Sequence, residues 1–284
     1  MVGGAAALIV FVVIEARSPW AMVPLSLFTS RVFGGVNVLT LLVYAGLSGS
    51  LFFLPFNLIQ VQGYSATAAG AALLPFVLIM FALSRWSGTL VDRYGSRTPL
   101  IVGPVLAAAG ILLYAVPGIG GAYWATFFPA VALHGVGMAI TVAPLTTVVM
   151  GSVEERHAGV ASGINNAVSR TAGLLAIAVM GVVMLAGFNG SLDGRLTNLS
   201  LPSEARAAID AQRTELAATD IPPGLGPELT AELRRALNES FVGSFRTVMF
   251  ICGGLALAGA LVAVMTMGRR TALRVAALPP APGT

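Results

Sequence analysis

Apolar residues run through this chain in long blocks that charge interrupts only at intervals. No Asp, Glu, Lys or Arg occurs over the 53 residues from Val32 to Ser84, or over the 56 from Thr98 to Val153. Two shorter blocks, Thr171 to Leu192 and Thr247 to Gly268, hold 22 residues each. A helix needs about 20 mostly apolar residues to cross the hydrocarbon of a bilayer, so each long block has room for two crossings. Polar or turn-forming residues mark the break inside each block: 60–67 with Gly63 in the first, Pro117-Gly-Ile-Gly-Gly121 in the second. The pattern predicts six spans, near 35–60, 68–90, 99–117, 122–149, 160–187 and 245–267. Strands of a membrane barrel alternate apolar and polar at every second residue. These blocks do not, and the expected fold is an all-α membrane protein, a six-transmembrane-helix bundle.

Composition sharpens this picture. Of the 284 residues, 56% are hydrophobic and 10% charged, against about 25% charged in soluble domains. A soluble enzyme and a disordered tail are excluded. The net charge of +4 is spread without a dense basic cluster, which excludes nucleic acid as a partner. All sixteen basic residues are Arg. The single cysteine, Cys252, sits in an apolar run and matches no disulfide, metal or redox pattern. No nucleotide loop, metal cluster or nucleophile–base arrangement occurs, so the expectation is no enzyme, no catalytic residue, no cofactor and no metal.

Around the expected bundle, 35–268, lie shorter segments. Met1 to Ile14 is apolar but too short to span and lacks the basic start of a signal peptide. It reads as the end of a truncated transmembrane helix whose beginning is missing, followed by a linker at 15–34. Short loops with arginine face the cytoplasm. One side receives Arg17, Arg31, Arg93, Arg97, Arg156, Arg269, Arg270 and Arg274, with Arg85 at a helix end, while the opposite turns, 61–67 and 118–121, have none. Both ends of the six-helix unit are then expected inside, with 269–284 as a cytoplasmic tail. The long connection 188–243 falls outside and holds eight of the twelve acidic residues. Ser203 to Thr219 and Pro227 to Phe241 both read as amphipathic helices, with Ile221 to Gly226 as the corner. The expectation is an external helical hairpin; a solvated spacer is the alternative.

The most specific motif is Gly88-Thr-Leu-Val-Asp92-Arg93-Tyr-Gly95-Ser-Arg97, between the second and third spans. Gly88 is expected to admit a close helix approach, Gly95 a tight turn, and Asp92 to meet the dipole of a neighbouring helix N-terminus. Arg93 and Arg97 would anchor at the membrane surface. Inside the spans, Asn37, Thr40, Tyr44 and Ser48 recur three to four apart in the first, as do His134, Met138 and Thr141 in the fourth. Polar groups facing lipid are costly, so both stripes should face protein or a wet cavity; helix packing and substrate contact remain open for each. His134 is either a proton relay or a neutral buried imidazole. Asn165, Asn166 and Arg170 in the fifth span are candidates for a gate, although Arg170 could instead snorkel to the surface. Gly159 and Gly163 are expected at a close helix contact.

The 88–97 loop resembles the signature that major facilitator transporters carry between the second and third helices of each half. Pro24-Leu-Ser-Leu-Phe28, Asn57-Leu-Ile-Gln-Val-Gln-Gly-Tyr-Ser65, Ala69-Gly-Ala-Ala-Leu-Leu-Pro75 and His157-Ala-Gly-Val-Ala-Ser-Gly-Ile-Asn-Asn166 narrow the resemblance to the fourteen-helix drug:proton antiporter branch, C-terminal part only. The resemblance implies a pathway lined by the first and fourth helices, alternating access, and outward movement of drug-like or amphipathic compounds against protons. It also implies residence in the bacterial cytoplasmic membrane and a missing N-terminal bundle, from the same gene upstream or a second chain. No Asp or Glu lies inside the six expected spans, so the carboxylate such coupling needs would belong to that other bundle. Two alternatives stay open: a self-pairing half-transporter, and a non-transporting scaffold whose external hairpin binds a partner.

Overall fold

A computed structural model describes residues 25–197 and 199–267, together with Gly3, Val10 and residues 13–15. The expected helix at 1–14 therefore lies outside the described residues except for Gly3, Val10, Val13 and Ile14, which are helical. Arg17, most of the 15–34 linker and the tail 269–284 lie outside them.

Six long helices account for the bundle: α1 Arg31–Phe56, α2 Leu74–Gly88, α3 Arg97–Leu113, α4 Phe128–Gly151, α5 Ala158–Leu196 and α6 Pro227–Thr266. Five of the helical stretches are long and apolar enough to cross a membrane, and α3 adds an apolar helix of 17 residues. No strand occurs among the described residues. Local chemistry sets the starts. The Ser30 hydroxyl accepts from the Phe33 amide and caps α1. Pro75 and Pro129 occupy the first turns of α2 and α4, where no amide donor is needed. A short helix, Ala66–Ala71, capped by Ser65, precedes α2, so the second crossing is broken at Ala72 and Leu73. At the far end of α1, Pro55 is followed by one π turn, Asn57–Val61.

Helix α6 packs against α1, α3 and α5, while α4 packs against α3 and α2, and α5 against α1. Small residues set the closest approaches. A Cβ at Gly46 would lie 2.6 Å from the Cys252 carbonyl of α6, and one at Gly49 2.7 Å from the Cys252 sulfur. Two of the expected contacts are corrected: added Cβ atoms at Gly88, Gly159 and Gly163 would meet nothing within 4 Å. Those glycines sit on exposed faces, where spacing alone does not bring a second helix close.

The long connection also differs from expectation. Helix α5 continues to Leu196, and α6 begins at Pro227, 18 residues before the expected span. The amphipathic stretch 227–241 is helical from its proline, but it runs unbroken into the apolar half of a 40-residue helix. At about 1.5 Å per residue that is about 60 Å, roughly twice the hydrocarbon thickness. Between the two extensions lie the helix Ser203–Ala211 and the 3-10 turn Arg213–Ala218. Ion pairs hold this cap: Arg195 with Glu239 across α5 and α6, and Arg213 with Asp193 at 2.5 Å and Asp210 at 2.7 Å. At the same end Gln62 joins the two turns, donating to the Gly118 carbonyl and accepting from the Gly120 amide, both at 2.8 Å.

Candidate functional site

Helices α1 and α5 run in the same direction from the same end of the bundle, so residues at equal distances from their starts meet. Six residues into α1 and seven into α5 (37 less 31, 165 less 158), an amide cluster closes the contact. Asn165 Nδ2 donates to Asn37 Oδ1 at 3.1 Å and to Thr40 Oγ1 at 2.7 Å. Asn37 and Thr40 complete their bonding to the backbone of their own helix, at the Phe33 and Val36 carbonyls. Both are buried.

Two turns further on, side chains of the same pair of helices frame an open space. A cavity of about 500 Å³, open to the surface, is lined by Tyr44 and Ser48 from α1 and by Asn166, Ser169, Arg170, Gly173, Leu174 and Ile177 from α5. Arg170 lies 12 residues into α5 (170 less 158) and Tyr44 13 into α1 (44 less 31); at 1.5 Å per residue both sit about 18 to 20 Å along their helices. Arg170 Nε donates to Asn166 Oδ1 at 3.3 Å. The helices can still touch at the floor of this space because α5 carries glycine there: a Cβ at Gly173 would fall 2.7 Å from the Ser48 hydroxyl. The first-span stripe thus divides. Asn37 and Thr40 serve the helix contact, while Tyr44 and Ser48 face open space beside Asn166 and Arg170. Gly173, Leu174 and Ile177 were not expected in the site, although they follow Arg170 at intervals of three, four and seven.

The fourth-span stripe has a different setting. His134 is 0% exposed, Met138 1% and Thr141 0%. Added Cβ atoms at Gly103 and Gly110 of α3 would collide with Thr141 and His134, and one at Gly137 of α4 with Ala107. The His134 ring packs edge-on against Phe76 of α2 and Tyr114, with centroids 5.1 and 5.9 Å away. Its Nδ1 shares a 3.4 Å hydrogen bond with the Tyr114 hydroxyl, and Nε2 is buried without a protein partner. The Thr141 hydroxyl donates to the Gly137 carbonyl at 2.7 Å. These three residues fill the seam between α4 and its neighbours and do not join Tyr44, Ser48 and Arg170.

In the 88–97 loop, Gly95 holds φ +72° as its turn requires. Asp92 falls in the one-turn helix Leu90–Tyr94, and only its backbone is described. Arg93 stacks over the Tyr94 ring, 5.5 Å from its centroid. Arg97 Nη2 donates to the Val264 carbonyl at 3.2 Å, in the last turn of α6, where carbonyls lack helical partners. It is a cross-bundle tie as well as a surface charge. No group of three or more metal-ligating residues occurs among the described residues.

Comparison with known proteins agrees with this architecture. The family profile described as Major Facilitator Superfamily matches residues 2–178. The tetracenomycin C resistance and export protein of Streptomyces glaucescens is 30% identical over 267 residues, 90% of this chain and 48% of that protein. The multidrug transporter protein MdtP of Bacillus subtilis is 26% identical over 84% of this chain and 44% of its own length. The tetracycline resistance determinant of Streptomyces rimosus is 28% identical over 91% and 78%. The chain thus spans about half the length of the first two relatives. A bacterial homologue of the lysosomal transporter Spinster, solved inward-facing and unoccupied, superposes with a TM-score of 0.59 at 16% identity, over 88% of this chain and 53% of that one.

Proposed function

The chain belongs to the Major Facilitator Superfamily, and on that premise we propose that it forms one six-helix bundle of a proton-coupled exporter of drug-like or amphipathic compounds. A second bundle, from the same gene or another chain, supplies the opposite wall, and the two rock about a site near the membrane midplane. The observation that carries this reading is the open cavity between α1 and α5, where Tyr44, Ser48, Asn166, Ser169 and Arg170 stand at mid-depth beside an apolar wall. Relatives named for export or resistance support the outward direction.

The proposed roles follow the placements. Tyr44, Ser48, Asn166 and Arg170 line the pathway, and Asn165 with Asn37 and Thr40 fixes the two helices that flank it. His134, Met138 and Thr141 hold the bundle together on its far side. The 88–97 loop, with Gly88, Asp92, Arg93, Gly95 and Arg97, lies at the cytoplasmic face of the bacterial inner membrane and couples α2, α3 and α6 during rocking. The proton is carried by a carboxylate of the second bundle, since the spans of this one offer none.

The reading is tested by expressing the whole gene in a drug-susceptible host and following the cation ethidium and the carboxylate dye carboxyfluorescein. Efflux of at least one dye that a protonophore abolishes is expected; efflux of neither, or efflux indifferent to the protonophore, contradicts it. Asp92→Asn in that protein should impair efflux while membrane insertion stays near normal.

A further inference from the structure

Arg170 is the one formal charge among the described residues at the mid-depth of the six spans. A guanidinium there is retained only where water, carbonyls or an anion compensate the loss of solvation. The compensation among the described residues is small. One bond, from Nε to Asn166 Oδ1 at 3.3 Å, is all that the group makes among the described residues, and Nη1 and Nη2 donate to nothing. The wall around it is also donor-rich. Among the described residues, the Tyr44 and Ser48 hydroxyls and the Asn166 amide nitrogen donate to no acceptor, and no carboxylate lines the cavity. The bundle's other arginines near the membrane are occupied or remote. Arg246 caps the Ala115 carbonyl at 2.8 Å, Arg97 bonds the Val264 carbonyl, and Arg85 and Arg93 lie exposed at the opposite end from the cap.

Resting on the exporter reading above, we infer that the cavity between α1 and α5 is a binding site for the carboxylate of an acidic amphipathic substrate, with Arg170 as the residue that selects for negative charge. A planar guanidinium presents two parallel donors to a carboxylate's two oxygens, a geometry that Lys cannot reproduce. The Asn166 oxygen holds Nε and orients the fork. Tyr44, Ser48 and the Asn166 amide supply further donors, while Leu174 and Ile177 offer an apolar wall to the rest of the molecule. The class is therefore acids with an apolar body; lipophilic cations are disfavoured at this site.

The test uses the full chain in phosphatidylcholine nanodiscs, titrated with 2-naphthoate and with uncharged 2-naphthamide, empty discs subtracted. The expected result is naphthoate binding about tenfold tighter than the amide, as a hydrogen-bonded charge pair implies. Arg170→Gln should erase that preference with the amide affinity unchanged, and Arg170→Lys should keep part of it. Should the glutamine variant misfold, competition on the unmodified chain decides: benzoate displaces naphthoate and benzamide does not. Equal affinity for the two probes, a preference that survives Arg170→Gln, or equal loss of both probes overturns the inference. A preference abolished by phosphatidylglycerol in the disc assigns the guanidinium to lipid phosphate and overturns it as well. Absence of both ethidium and carboxyfluorescein efflux by the whole gene product, with the naphthoate preference intact, refutes the exporter reading and leaves the anion site supported.

Discussion

The α1–α5 contact and the α3–α4 contact both place amides, hydroxyls or an imidazole at membrane depth, yet they are built from different neighbours. Across from His134 and Thr141 stand Gly110 and Gly103, and the glycines let the backbones close until nothing but side chains fills the seam. Across from Tyr44 stands Arg170, too long and too charged to be packed away, and the seam stays open. The same helical spacing of polar residues therefore gives a dry joint in one place and a cavity in the other. What decides is the residue on the facing helix.

The largest consequence is expected at the dry joint. Gly137→Leu drives a side chain into Ala107 and the Gly103 carbonyl, an overpacking that should cost about 3 kcal/mol or more, seen as a collapse of the melting temperature in detergent. Gly159→Leu, whose added Cβ meets nothing, should stay within about 0.5 kcal/mol of the parent. Equal melting of the two would erase the distinction between packed and open glycines. A smaller effect is expected at the amide cluster. Asn165→Ala strips Asn37 Oδ1 and Thr40 Oγ1 of a donor, at about 1 kcal/mol, and should loosen the α1–α5 contact without disturbing the α3–α4 seam.

The cap gives the smallest effect. The Arg213 hydrogen bond holds the Asp193 carboxyl below its ordinary 3.8. A folded value below the unfolded one stabilises fully above pH 3.8 and is lost as pH falls through the lower folded value. Asp193 is exposed and Arg213 half-buried, so the pair's worth is below about 1 kcal/mol and screened by salt. Melting should drop modestly below that pH at low ionic strength. Arg213→Gln should flatten the drop, and a pH response unchanged by the substitution would remove the ion pairs from the account of the cap.

The six crossings were legible because charge is too costly inside a bilayer to be placed casually, and its gaps mark the spans. The broken second crossing and the start of α6 at Pro227 were harder to read. An amphipathic helix has one period whether it lies on a surface or continues into a span, and Phe241-Val-Gly-Ser-Phe245 contains no proline to stop it. The polar stripes were legible as faces, but spacing along one helix does not say which helix it faces. Gly103 and Gly110, seven apart on α3, carry that signal for His134 and Thr141. The Gly159 and Gly163 pair misled because four-residue spacing is equally compatible with an exposed face. Gln62, which ties the two turns at the cap end, stands within Asn57–Ser65 with nothing local to show its partner 56 residues away.

Thiol accessibility distinguishes a water-exposed face between α1 and α5 from one between α3 and α4. With the single native cysteine replaced by Cys252→Ala, Ser48→Cys, Arg170→Cys, His134→Cys and Met138→Cys are each exposed in membrane vesicles to a charged methanethiosulfonate. Ser48→Cys and Arg170→Cys should label rapidly, and His134→Cys and Met138→Cys not until the protein is denatured. Labelling of the latter pair in the native membrane, with the former pair protected, would contradict a water-exposed face between α1 and α5.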